Sequence, residues 1–189
     1  MWLNWTKLKS LSIQIIPIRC SLLRKALVIL ASVIVTVTIV VVASIFLRVW
    51  RIPFFQVEVF GISHSAVHWI GWIGTLYIAF ATPVYPIVKR KYSHHLKKTL
   101  NIHVTGNLLG VLLVSIHFAH QVTRPAYAYP DLGTGIVLYA TMILLSASGL
   151  VLVSSIGRKF FKQIHFLHSA YVITFYTVIV MHILQDLII

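Results

Sequence analysis

Five stretches of this chain are long and apolar enough to cross a bilayer, and that pattern constrains the fold before any motif does. A hydrocarbon core takes about 20 mainly apolar residues per helical crossing, and residues 26–47, 66–88, 99–122, 133–156 and 164–187 meet that length. Lipid offers a backbone no hydrogen-bond partner, so each stretch is expected to be an α-helix. The predicted fold class is an all-α integral membrane protein, a five-helix transmembrane bundle. Composition agrees: 59% of the 189 residues are hydrophobic and 10% are charged, with a mean hydropathy of +0.92, which excludes a soluble globular domain.

The net charge of +13 and isoelectric point near 10.3 would suggest nucleic acid in a soluble protein. Here the basic residues form short clusters between apolar spans, so they report topology instead. Placing the N-terminus in the cytoplasm puts thirteen Lys and Arg inside and three outside, as the positive-inside rule prefers. The acids Glu58, Asp131 and Asp186 then all face the exterior, as does the C-terminus. Residues 1–25 mix Trp2, Trp5, Leu8 and Ile15 with Lys7, Lys9, Arg19, Arg24 and Lys25, and Pro17 interrupts them. They read as a basic interfacial segment rather than a cleaved signal peptide, leaving residues 26–189 as one membrane domain.

A single cysteine, Cys20, rules out an intrachain disulfide, and no Cys/His cluster has zinc spacing. Metal chemistry must therefore rest on the ten histidines. His68, His103, His117, His168 and His182 fall within predicted spans, where an unpaired ionisable group is costly. His103 and His117 are fourteen residues apart on the third helix, and His168 and His182 are fourteen apart on the fifth. Fourteen positions return a helix to within about 40° of its starting direction and rise about 21 Å. Each pair is thus a ladder of two rungs. Both helices run from inside to outside, so His103 comes level with His168 and His117 with His182.

Two histidines per level are too few for a bare zinc or copper site, which takes a third or fourth donor. A haem needs only two axial nitrogens, because its porphyrin brings four. With no Cys-x-x-Cys-His attachment motif, the expected cofactor is non-covalent haem b, one at each of two stacked levels. Gly106 and Gly110 follow His103 on the same face, where a flat macrocycle could approach the backbone; Gly106-x-x-x-Gly110 also matches the close-packing motif of membrane helix pairs. Tyr171 and Phe175 occupy the corresponding stripe of the fifth helix and suit porphyrin contact or ordinary helix packing. His120 lies seventeen residues after His103 and His165 seventeen before His182, an interval that rotates each pair by about 100°. The fourteen-residue register is therefore preferred, with His120 and His165 beside haem propionates. His64 and His68, one turn apart at the start of the second helix, flank the outer haem, bind quinone or metal, or sit at the interface. His94 and His95 read as solvated loop residues.

The run Leu100-Asn101-Ile102-His103 through Ile116-His117-Phe118-Ala119-His120, preceded by Lys97 and Lys98, resembles a haem-ligating helix of the ferric-reductase-like transmembrane domain. That family includes NADPH oxidases, ferric reductases and stand-alone bacterial haem subunits. His168 and His182 match its second ligand helix, and Gly157 to His165 is similar to the entry of that helix in the stand-alone members, which makes His165 a rival to His168. The resemblance covers residues 60–189. The family usually has six spans where five are counted here, the second ladder is one residue longer than in some relatives, and the flavin and nicotinamide domains are missing. It implies a redox subunit that passes electrons from quinol or a partner protein to an acceptor across the membrane. The alternatives are a quinone-linked cytochrome b anchoring a dehydrogenase or reductase, and a transporter or structural protein whose histidines handle metal ions or protons.

Overall fold

The structure, a computed structural model, describes residues 5–50, 56–59, 62–92, 96–125, 132–154 and 159–188, with 5–24, 59, 62, 63 and 186–188 described through their backbone only. His94, His95 and Asp131 lie outside the described residues, and the side chain of Asp186 is among those not described. Five helices account for most of the chain: α1 (Trp5–Phe46), α2 (Ala66–Lys91), α3 (Leu96–Val122), α4 (Gly133–Val153) and α5 (Phe161–Ile188). Each contains a segment long and apolar enough to span a membrane, Lys25–Phe46 being the most hydrophobic. The chain is a multi-pass membrane protein.

Helix α1 runs through Pro17 without a break, so the expected interruption there does not occur. Proline removes a single backbone donor, and the helix continues around that loss. Its 42 residues measure about 63 Å at 1.5 Å per residue, roughly twice a hydrocarbon core. The far end closes with Arg48 in the left-handed region (φ 56°). Val49 N–H then bonds the Ser44 carbonyl and Arg48 N–H the Ile45 carbonyl, each at 3.0 Å, a Schellman closure.

Between α1 and α2 a short antiparallel hairpin, β1 (Gln56–Val59) and β2 (Ile62–Ser65), pairs Val57 with His64. Trp69 Nε1 donates to the Val57 carbonyl at 3.0 Å and pins the hairpin to α2. The Ser65 hydroxyl caps α2 by accepting from His68 N–H. At the other end of α2, Lys89, Arg90 and Lys91 fill the last turn, where cations complement the helix dipole.

Helix α3 is central, packing against α1, α2 and α4, while α5 packs on α4. A core of Ile78, Val111, Val114, Leu138, Met142, Leu145, Phe175 and Ile179 joins α2, α3, α4 and α5. A second cluster holds Leu27, Ala31 and Ile34 of α1 against Val104 and Leu108 of α3. Pro83 within α2 leaves the Ala79 carbonyl without its helical donor. The Tyr176 hydroxyl of α5 donates to that carbonyl, so the proline's defect becomes a tie between α2 and α5.

Gly106 and Gly110 serve helix packing rather than a flat ligand. A Cβ at Gly106 would strike the Tyr77 ring, and one at Gly110 would meet Ile78 at 2.7 Å. Both glycines let α3 close on α2. Tyr171 packs against the four-helix core.

Candidate functional site

Two cavities lie one above the other in the bundle. The larger, about 470 Å³, is lined by His103 of α3 and His168 of α5; the smaller, about 140 Å³, by His117 of α3 and His182 of α5. The histidines that the sequence pairs by level are thus brought together by level. The first cavity lies toward the basic end of the bundle, with Lys89, Lys97 and His165 among its lining residues.

The correspondence between levels extends beyond the histidines. On α3, Leu100, His103, Val104 and Asn107 line the first cavity, and Val114, His117, Phe118 and Gln121, each fourteen positions later, line the second. On α2, Thr82, Tyr85 and Lys89 of the first answer to His68, Gly71 and Thr75 of the second. Around α4 the pairs are Ser146 with Leu132, Gly149 with Gly135, Leu152 with Leu138 and Val153 with Tyr139. On α5 they are His165 with Ile179 and His168 with His182. Thirteen of the fifteen residues lining the second cavity therefore sit fourteen positions from a residue lining the first. At 1.5 Å per residue the levels are about 21 Å apart along the helices. At heights between the two histidine pairs lie Ile78, Met142 and Phe175, each at most 2% exposed; Ile78 and Met142 also form part of the wall of the first cavity.

Helix α4 supplies a support that sequence reasoning missed. Thr134 Oγ1 lies 3.0 Å from His182 Nδ1 and donates its proton to Gln185 Oε1 at 2.6 Å. A hydroxyl has one proton to give, so Thr134 accepts from His182 Nδ1–H. Ser148 repeats the arrangement at the first level: its hydroxyl donates to the Leu145 carbonyl at 2.9 Å and accepts from His168 Nδ1–H at 3.0 Å. Both α5 imidazoles are thereby tied through Nδ1–H to a hydroxyl of α4, which fixes the tautomer that ligates a metal through Nε2. Beside each hydroxyl stands a glycine. A Cβ on Gly135 would come 3.4 Å from His182 Cε1, and one on Gly149 would come 3.3 Å from His168 Cε1. In the sequence the pair appears only as Thr134-Gly135 and Ser148-Gly149, fourteen residues apart in a span that also carries Thr141 and Ser146, so the spacing alone does not single them out.

The α3 histidines have different neighbours. Asn107, one turn beyond His103, places Nδ2 at 3.4 Å from Nδ1 and 3.3 Å from Nε2 of that ring, and Tyr85 stacks on the ring with centroids 4.3 Å apart. Gln121 stands one turn beyond His117. Asn107 Oδ1, Gln121 Oε1 and His117 Nδ1 are buried with no hydrogen-bond partner among the described residues. Such an atom costs about 1–3 kcal/mol, and these three belong to residues that line the two cavities. His165 borders the first cavity alongside His168, whereas His120, 3% exposed within α3, lines neither.

The second cavity is smaller for a visible reason. Where the first has Thr82, Val104 and Val153, the second has the rings of His68, Phe118 and Tyr139, and Trp72 is added. Phe118 and Tyr139 stack at 4.1 Å. Small-molecule sites ordinarily occupy about 300–1,000 Å³, so the first level is open to a planar ligand as it stands, and the second opens only when side chains turn.

Among the described residues no group of three or more His, Cys, Asp or Glu gathers closely enough to hold a bare metal ion. At each level one α3 imidazole and one α5 imidazole line the same largely apolar cavity, joined by His165 at the first and His68 at the second. That set fits a metal that brings its own equatorial ligands. No protein-family model, curated protein or solved structure matches the chain.

Proposed function

We propose that this chain is a transmembrane dihaem cytochrome b that carries electrons from one membrane face to the other, as the likeness to ferric-reductase-like transmembrane domains suggests. The observation that carries this proposal is the pair of stacked cavities, with His103 and His168 lining one and His117 and His182 the other, repeated at fourteen residues on each of the four helices, α2 to α5, that line both. Bound haem would supply a one-electron couple at each level. His103 with His168, and His117 with His182, would hold the two irons from opposite sides. Ser148 and Thr134 would fix the α5 imidazoles and raise their basicity through Nδ1. Lys89, Lys97 and His165 at the mouth of the first cavity would anchor acidic haem substituents. Ile78, Met142 and Phe175 would exclude water between the levels. Loading the second level would require Trp72 to give up its place in the cavity.

Haem held by two imidazoles at each level would favour outer-sphere electron transfer over oxygen activation. The donor is quinol or a partner protein, and the acceptor lies on the opposite face. The basic end of the bundle, which carries the first level, is assigned to the cytoplasm by the positive-inside rule. Haem content per chain tests the proposal: acid-acetone extraction and a pyridine haemochrome assay should give two haems b, both low-spin. A purified protein without haem bands would overturn it, and a single haem per chain would reduce the second level to a structural role.

A further inference from the structure

The second level holds a third imidazole. His68, on α2, lines the same cavity as His117 and His182, and its ring centroid lies 5.1 Å from that of His117, edge-on at 79°. The first level has no imidazole on α2, because Thr82 occupies the equivalent position; its third imidazole, His165, stands on α5 beside His168 and so cannot replace the α3 ligand His103.

We propose that His68 is a second, interchangeable axial ligand at this level, so that an iron held by His182 on one side is held on the other by either His117 or His68. This rests on the dihaem proposal above. Helices α2 and α3 approach so closely here that a Cβ on Gly71 would come 2.6 Å from His117 Cγ. His68, one turn before Gly71, therefore enters the cavity from the same side as His117. Its ring is held in place from two directions. Trp72 Nε1 donates to His68 Nε2 at 2.9 Å, and the ring of His64 packs against it at 4.2 Å, carried there by a hairpin that Trp69 ties to α2. Accepting from Trp72 requires an unprotonated Nε2, so His68 already presents a neutral imidazole with a ligand-competent lone pair. If Trp72 gave up that hydrogen bond, the same lone pair would be the one with which His68 could hold the iron. The exchange replaces one neutral imidazole by another: one iron–nitrogen bond breaks, one forms, and no proton or electron is transferred.

The test uses the full chain purified from membranes, with haem content, spin state and carbon monoxide binding as readouts. His103→Ala should leave the first level with a single protein ligand, giving a high-spin haem that binds one carbon monoxide per chain, or losing that haem. His117→Ala should retain two low-spin haems and bind no carbon monoxide, because His68 takes over. Adding His68→Leu to His117→Ala should make the second level behave as the first does in His103→Ala. If His117→Ala alone binds carbon monoxide or loses a haem, His68 is not a ligand and only this inference falls; a wild-type chain without haem would sink the dihaem proposal and this one together. Should His117→Ala fail to accumulate, electron paramagnetic resonance of the wild type decides. Two low-spin species at the second level, reduced to one by His68→Leu, support exchange, and a spectrum unchanged by His68→Leu refutes it.

Discussion

Replacing Ser148 by Ala and Thr134 by Val isolates the contribution of α4 to each level. In the structure each hydroxyl uses its proton elsewhere and accepts from Nδ1–H of one α5 histidine at 3.0 Å. Removing it forfeits a hydrogen bond of about 0.5–1.5 kcal/mol, rising to about 3 kcal/mol where the ring N–H finds no other acceptor. Supporting hydrogen bonds of this kind typically carry 10–100-fold in metal affinity, which corresponds to about 1.4–2.8 kcal/mol and agrees with the structural estimate. Ser148→Ala should therefore accelerate haem loss from the His103/His168 level by one to two orders of magnitude and leave the His117/His182 level untouched. Thr134→Val should do the reverse. Transfer of haem to excess apomyoglobin measures both rates in one sample, and potentiometry should show the affected haem shifted to higher potential, because its imidazole is less basic. Equal effects on both levels, or none, would refute the one-hydroxyl, one-level assignment.

Other expectations follow from the same geometry. His168→Ala should abolish the low-spin haem of the first level and spare the second, and His182→Ala the converse, as read by haem content and carbon monoxide binding. His165→Ala should leave both low-spin signals in place and at most shift the first potential; loss of the first haem in this variant, with His168→Ala intact, would move the ligand to His165. Tyr176→Phe should destabilise the bundle by about 1–3 kcal/mol by leaving the Ala79 carbonyl unpaired, and by much less in a Pro83→Ala background, where a helical donor is restored; equal losses of detergent melting temperature in both backgrounds would contradict the account. In a Cys20→Ser background, an impermeant thiol reagent applied to intact cells should label a cysteine at Ala128 and not one at Ser93, and the opposite pattern would invert the orientation.

The spans were legible because apolar length is a one-dimensional property; their ends were less so. Helix α2 continues to Lys91 and α3 begins at Leu96, beyond the apolar limits at 88 and 99, since long basic side chains at a helix end reach water while the backbone stays helical. The hairpin strands at Gln56–Val59 and Ile62–Ser65 are not legible in hydropathy although Val57 and Val59 alternate with polar residues ahead of Phe60-Gly61, because a four-residue strand averages away over the length of a membrane span. The histidine ladders could be read from spacing alone. Their hydroxyl partners could not, because Thr and Ser in a membrane helix normally satisfy themselves on the preceding turn, as Thr141 and Ser32 do here. Only the antiparallel seating of α4 on α5 reveals that Thr134 and Ser148 face histidines.

The recurrence of fourteen has a physical origin that also explains why seventeen fails. Fourteen residues are two heptads, and a straight helix falls short of that repeat by about 20° per heptad, or about 40° in all. Helices that cross with the left-handed twist of a bundle absorb this deficit, so residues two heptads apart keep facing the same neighbours. The interval can therefore hold on α2, α3, α4 and α5 at once, and two equivalent cavities can be stacked without rebuilding any wall. A seventeen-residue step adds about 100° of rotation, which the twist does not remove. His120, seventeen beyond His103, accordingly lines neither cavity. His165, seventeen before His182, reaches the first cavity only beside His168, where its own two-heptad equivalent is Ile179. A ligand pair drawn from the seventeen-residue register would need helices that untwist between levels, and the shared plug of Ile78, Met142 and Phe175 packs all four at the height where that untwisting would have to occur.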